Sequence, residues 1–174
     1  MISDEVLFEL VARADDQQAF ETLVRKYRLP AINYVTKLIH DRDYAQNLTQ
    51  NVFANIYFKR QAIYPVASFK FYLFKALKYQ AIDWIRKTKR VATVDIDNFT
   101  LSFEQVNASD YLQVLQQELT PTDYQLAILR FYYGFTFKEI AQLMTITAGN
   151  ARVRCSRLRW KLRHEPFWQQ ALEK

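Results

Sequence analysis

Glycine occurs only twice in this chain of 174 residues, at Gly134 and Gly149, and proline four times. So little turn chemistry excludes a hairpin-rich β protein, while long stretches free of both residues suit helices. No phosphate-cradling P-loop can be written ahead of Gly134. The two histidines, His40 and His164, lie far apart, and no metal-ligand spacing joins them to other donors. A single cysteine, Cys155, cannot form an internal disulfide. No run of about 18 apolar residues occurs, and the opening MISDEVLFELVARADDQQ is acidic where a secretory signal would be basic. These absences point to a soluble chain in a reducing, cytoplasmic setting. They argue against an enzyme and give no reason to expect a cofactor or metal.

Half of the residues are hydrophobic, enough to bury a real core in one ordinary domain or two small ones. The expected fold is all-α. A net charge of +6 and a sequence pI near 9.4 call for an anionic partner, nucleic acid or a membrane surface. The charge is unevenly spread. Residues 3–60 read as helices carrying both signs, with Ser3 as an N-cap ahead of Asp4 and Glu5. Residues 69–90 hold seven basic residues against the single acid Asp83, and residues 91–118 then hold five acids and no basic residue. The expected organisation is a helical domain over 1–90, an acidic linker over 91–118 and a second helical domain over 119–174.

The second domain is sharply punctuated. Thr120-Pro121-Thr122-Asp123 supplies an N-cap, a proline at the first helical position and an acid at the third, and Gly134 can close that helix in a left-handed conformation. One helix over about 121–133 follows. Thr136-Phe137-Lys138-Glu139 is a capping box, and Ile140, Ala141, Leu143 and Met144 continue with the spacing of a short buried helix. After Thr145 and Ile146, Thr147 can cap a further helix. Two helices joined by so short a turn make a helix-turn-helix without a wing, whose second helix can lie in the DNA major groove.

That second helix crowds Arg152, Arg154, Arg157, Arg159, Lys161 and Arg163 into twelve positions, with no acid anywhere in 150–164. At about 100° per residue, Ala151, Cys155, Leu158 and Leu162 form a narrow apolar stripe. Docking that stripe leaves the cations outward, where they can meet phosphates or guanine edges. Val153 and Trp160 fall opposite the stripe, toward DNA or the neighbouring domain. An isolated basic helix can be a mere solubilising face; two capped helices in tandem, with no balancing acids, favour DNA.

In the segment 69–90, Phe69, Phe71, Tyr72, Phe74, Tyr79 and Trp84 are interleaved with Lys70, Lys75, Lys78, Arg86, Lys87, Lys89 and Arg90. Some of these aromatics must be core, because Leu73, Ala76, Leu77, Ala81 and Ile82 alone make a thin buried face. A cationic helix with surplus aromatics also suits an unpaired strand, since rings stack on exposed bases while Lys and Arg follow the backbone.

Two stretches resemble one family, the bacterial RNA polymerase sigma factors of the extracytoplasmic-function type. Leu119, Pro121, Leu129, Arg130, Gly134, Glu139, Ile140, Ala141, Ile146, Gly149, Arg157 and Leu162 stand where that family's helix-turn-helix domain has matching residues. Asn150-Ala151-Arg152 replaces its usual Thr-Val-Lys, and Thr145 replaces a frequent turn glycine. AFETLVRKYRLPAINYV is similar to its opening helices, and LFKALKYQAIDWIRKTKR to its strand-opening helix, with tyrosine at Tyr79 and Tyr72 where asparagine and tryptophan are frequent. Together these cover about residues 17–90 and 119–164.

The resemblance implies promoter recognition without catalysis. Thr147, Asn150, Arg152, Arg154, Arg157, Arg159, Lys161 and Arg163 would contact the minus-thirty-five duplex. Lys70, Tyr72, Lys75, Lys78, Tyr79, Trp84, Arg86, Lys87, Lys89 and Arg90 would hold the melted minus-ten strand. The acidic linker would thread the polymerase channel. Gln46, Asn47, Leu48, Gln50, Asn51 and Phe53 occupy the polymerase-binding helix, where the family's A-E-D-L-x-Q-E-x-F becomes Ala45-Gln46-Asn47-Leu48-Thr49-Gln50-Asn51-Val52-Phe53. Three acids have become amides, which keep hydrogen bonding and forfeit charge. The partners implied are core RNA polymerase, promoter DNA and an anti-sigma protein as a further option. Cytoplasmic, nucleoid-associated work by a chain that is monomeric when free follows. The competing reading is a helix-turn-helix regulator that binds duplex DNA without polymerase.

Overall fold

A computed structural model of the chain describes residues 2–89 and 119–162. Arg90, Arg163 and the 91–118 linker lie outside the described residues, as does the end of the chain. Two compact units result, Met1–Val94 and Asp95–Lys174. The described residues are helical and contain no strand.

The first unit is built from α1 (Asp4–Ala14), α2 (Gln17–Ile39), α3 (Arg42–Phe58), the single turn α4 (Arg60–Ile63) and α5 (Phe69–Lys89). Side-chain caps start the first three helices. Ser3, Asp16 and Asp41 accept from the amides of Val6, Ala19 and Tyr44 at 3.3, 3.0 and 2.9 Å, satisfying donors that the first turn leaves open. Glycine's scarcity shows at the other ends. Asp15 and His40 take the left-handed conformation after α1 and α2, at φ 53° and 58°, a place usually filled by glycine. The long α2 continues past Pro30, which cannot donate to the helical ladder.

Helix α2 packs on α1, α3 and α5. Phe8, Leu23, Phe69, Leu73, Phe74 and Leu77 are fully buried between them. Ring contacts knit this core, Phe8 to Phe69 at 5.1 Å, Tyr27 to Phe69 at 6.0 Å and Tyr34 to Phe74 at 5.1 Å between centroids. Truncating Phe69 to alanine should therefore cost about 3–5 kcal/mol. Polar ties rim the core. Asp4 accepts from the Lys26 ammonium at 2.7 and 2.9 Å and from the Tyr27 hydroxyl; Asp15 holds Arg60 at 2.7 Å and the Tyr57 hydroxyl at 2.7 Å.

The second unit contains α6 (Pro121–Ala127), a π-helical continuation over Ile128–Tyr132, α7 (Phe137–Met144) and α8 (Ala148–Leu162). Thr120 caps α6 and Gly134 closes the segment at φ 66°. The regular helix expected over 121–133 needs correction, since Ile128–Tyr132 wind as a π-helix, with the Tyr133 amide donating to the Ile128 carbonyl. Hydrophobic spacing does not reveal such one-turn insertions. The Thr136–Glu139 capping box is complete at 2.8 and 3.3 Å. Thr145 ends α7 in the left-handed region at φ 57°, and the Thr147 hydroxyl accepts from the Asn150 amide at 3.1 Å to start α8.

Candidate nucleic-acid interfaces

Helix α8 packs on α6 and α7 through Ala151, Cys155, Leu158 and Leu162, which are its buried residues. Burial pushes the Cys155 thiol up to about 11, although Arg130, Arg159 and Arg154 pull the other way. A thiol held protonated in an apolar seam is a packing residue, not a nucleophile.

With the stripe docked inward, the cations separate into two classes. Arg154 turns back to Asp123 on α6, its Nη2 at 2.6 Å and Nε at 3.0 Å from the same carboxylate oxygen, with both side chains largely covered. Arg154, expected among the duplex contacts, thus holds α8 on α6 through its guanidinium. Arg152 lies over the Phe137 ring at 5.7 Å and Arg159 over Phe131 at 5.8 Å. Arg130, also over the Phe137 ring at 4.8 Å, joins them around a cleft of about 260 Å³. Three guanidiniums on aromatic supports, with no carboxylate lining the cleft, make an anion-friendly flank. Thr147, Asn150, Arg157 and Lys161 are exposed. Val153, 51 % exposed, and Trp160, 72 % exposed, lie on the outer side.

In the first unit, α5 sorts its aromatics by helical phase. Phe69 and Phe74 join the core, whereas Ala76, expected there, is only half-buried. Lys78, expected along the minus-ten strand, is 8 % exposed. Position 78 falls on the stripe Phe74, Leu77, Ala81, Ile82 and Ile85, and a lysine there lays its stem along the core. Trp84 is half-buried and stacks on Tyr44 of α3, centroids 4.7 Å apart and planes at 29°, a partner that nothing in the sequence announces. Lys70 and Tyr72 are half-buried, Arg86 is exposed, and exposed Lys87 pairs with Asp83 at 2.7 Å. Lys89 ends α5.

Beside α5 is a cleft of about 410 Å³, walled by Val66, Ala67, Phe71, Tyr72, Ala76 and Tyr79 with Ser68 and Lys75 at its polar points. Ser68 also receives the Phe71 amide at 3.2 Å, and the Lys75 ammonium stands over the Phe71 ring at 5.6 Å. The cis peptide Tyr64–Pro65 precedes the cleft-forming segment. A smaller cleft of about 230 Å³ shares Tyr72, Ala76 and Tyr79 and reaches α3 through Val52, Asn55 and Ile56. Tyr79, 56 % exposed, forms the ridge between the two.

On α3, Gln46, Asn47, Gln50 and Asn51 are exposed in one strip. Leu48 is buried beneath the strip, and Phe53, also buried, lines a groove together with Gln46, Asn47 and Gln50. That groove, of about 340 Å³, separates the amides from Val24, Arg28 and Ile32 of α2. The groove thus offers amide donors and acceptors with one guanidinium and no carboxylate. Among the described residues no helix is long and apolar enough to cross a membrane, and no group of three metal-ligating side chains gathers.

No family model matches the chain. It is 24% identical over 177 residues to the RNA polymerase sigma-H factor of Pseudomonas aeruginosa, covering 90% of each chain. It is also 24% identical over 152 residues to the ECF RNA polymerase sigma factor SigM of Bacillus subtilis, covering 82% of this chain and 92% of that one. The resemblance drawn from residues 17–90 and 119–164 is met by both relatives, one named as an extracytoplasmic-function factor.

Proposed function

We infer that this chain is a sigma factor of the extracytoplasmic-function type, which binds core RNA polymerase and directs it to promoters for transcription initiation. In this reading α8 lies in the major groove of the minus-thirty-five duplex, led by Thr147, Asn150 and Arg157, while Arg152, Arg159 and Lys161 bear on phosphates. Arg154 fixes the helix's pose from behind. The α5 cleft receives a base from the melted minus-ten strand, stacked against Tyr72 or Tyr79, with Lys75, Arg86 and Lys87 along the backbone. The exposed amides of α3 meet the polymerase. An anti-sigma protein is a partner that this reading leaves open, and the work belongs on the nucleoid in the cytoplasm.

The observation that carries the inference is the aromatic cleft on α5, joined in one chain to a helix-turn-helix. A regulator of duplex DNA has no use for a stacking site, whereas a protein that opens promoters needs one. The test is size-exclusion co-elution of the purified protein with bacterial core RNA polymerase near physiological ionic strength, where a Debye length of about 8 Å screens non-specific pairing. Stoichiometric co-elution is expected, with preference for a forked promoter over plain duplex. Failure to co-elute, with sequence-specific duplex binding intact, would instead identify a regulator that works without polymerase.

A further inference from the structure

The side of α8 opposite its buried stripe is centred on Val153, with Asn150 one turn before, Arg157 one turn after and Trp160 beyond. Val153 is 51 % exposed, and a β-branched residue is a poor choice for an exposed helical position on propensity alone. Its surroundings are cationic without a nearby acid in the helix, since residues 150–164 contain none. Arg154 is held by Asp123 and Arg152 leans over Phe137, so two of the nearest guanidiniums are drawn to the flanks. What faces outward at the centre is a small apolar knob between an amide and a guanidinium.

Among the edges that base pairs present in the major groove, one substituent is apolar, the C5 methyl of thymine. We propose that Val153 is a specificity-determining residue that packs on a thymine methyl in duplex DNA, flanked by Asn150 on an adenine edge and Arg157 on a guanine edge. This rests on the reading of α8 as a major-groove helix. A rise of about 1.5 Å per residue puts Asn150 and Arg157 roughly 4.5 and 6 Å along the axis from Val153. Base pairs stack about 3.4 Å apart, so the Val153 contact falls one or two steps from each of the other two, which stand about three steps apart. The recognised element therefore contains a thymine in a fixed place between the positions that Asn150 and Arg157 read.

The test begins by selecting duplexes from a random library with the full-length protein bound to core polymerase. Each thymine of the selected site is then replaced singly by deoxyuridine, which removes the methyl group and nothing else. One position should lose about fourfold in affinity, the worth of one buried methyl group. The Val153→Ala variant should bind the unmodified site about as weakly and lose nothing further on the deoxyuridine duplex. Alanine favours the helix, and circular dichroism should show the fold intact. A methyl effect that persists undiminished in Val153→Ala overturns the assignment, as does a selected site with no methyl-sensitive thymine. If scrambled duplex competes as well as the selected one, the reading of α8 itself falls.

Discussion

Removing the carboxylate of Asp123 should loosen the second unit by releasing Arg154. The two charges lie roughly 4 Å apart, and at an effective dielectric near 20 their attraction is about 4 kcal/mol. Desolvation offsets part of this, and the side chains keep 25% and 30% exposure, which admits screening. A coupling of about 1–2 kcal/mol remains. Asp123 also stands in the first turn of α6, where a negative charge favours the helix by a further ~0.5 kcal/mol. A double-mutant cycle of Asp123→Asn, Arg154→Met and both together cancels that second contribution. Urea unfolding followed by circular dichroism supplies the four stabilities. Each single variant should lower the second unit's melting temperature by about 4–15 °C, and the double variant should be hardly worse than either. A coupling below about 0.3 kcal/mol would refute the structural role. DNA affinity gives an independent check, because Arg154→Met should weaken binding no more than Asp123→Asn does. A tenfold loss confined to Arg154→Met would return that residue to the bases.

Lys37 is half-buried on α2, and burial lowers its ammonium from 10.5 to about 8. Between those values the unfolded chain holds a proton that the folded one has released, so stability should rise with pH across that window. Urea midpoints at about pH 7.5 and 9.5 should show the rise, and Lys37→Met should flatten it; Tyr27 and Tyr34, whose phenols burial pushes above their ordinary 10.0, oppose it only at higher pH. Thr145→Gly should stabilise the second unit by about 0.5–1 kcal/mol, since a β-branched residue at φ 57° is strained where glycine is not; an unchanged urea midpoint would deny the strain. Cys155 should react slowly with a thiol reagent in native buffer and quickly once urea opens the second unit, whereas immediate native labelling would contradict its burial. Restoring charge with Gln46→Glu, Asn47→Asp and Asn51→Glu should tighten binding to core polymerase, most at low ionic strength, and unchanged affinity in co-elution would remove the amides as the weak point of that interface.

The features legible along the chain are local, each spanning only a few residues. Ser3, Thr120, Thr136 and Thr147 start their helices as their positions foretell, because a cap needs only a side-chain oxygen and an amide three residues on. The stripe Ala151, Cys155, Leu158 and Leu162 was legible for the same reason, since helical phase follows from spacing alone. The burial of Lys78 follows from its helical phase with Phe74 and Leu77, which outweighs its charge. Left-handed ends at Asp15, His40 and Thr145 carry no such signal, as none of them is glycine. Packing between helices sets the rest: Arg154 faces Asp123 across 31 residues, Trp84 stacks on Tyr44 while Tyr79 stays out, and Leu48 is buried beneath four exposed amides whose groove Phe53 helps to line. Those choices depend on which neighbouring helix fills the space beside each side chain, and packing between elements distant in sequence leaves no local spacing to read.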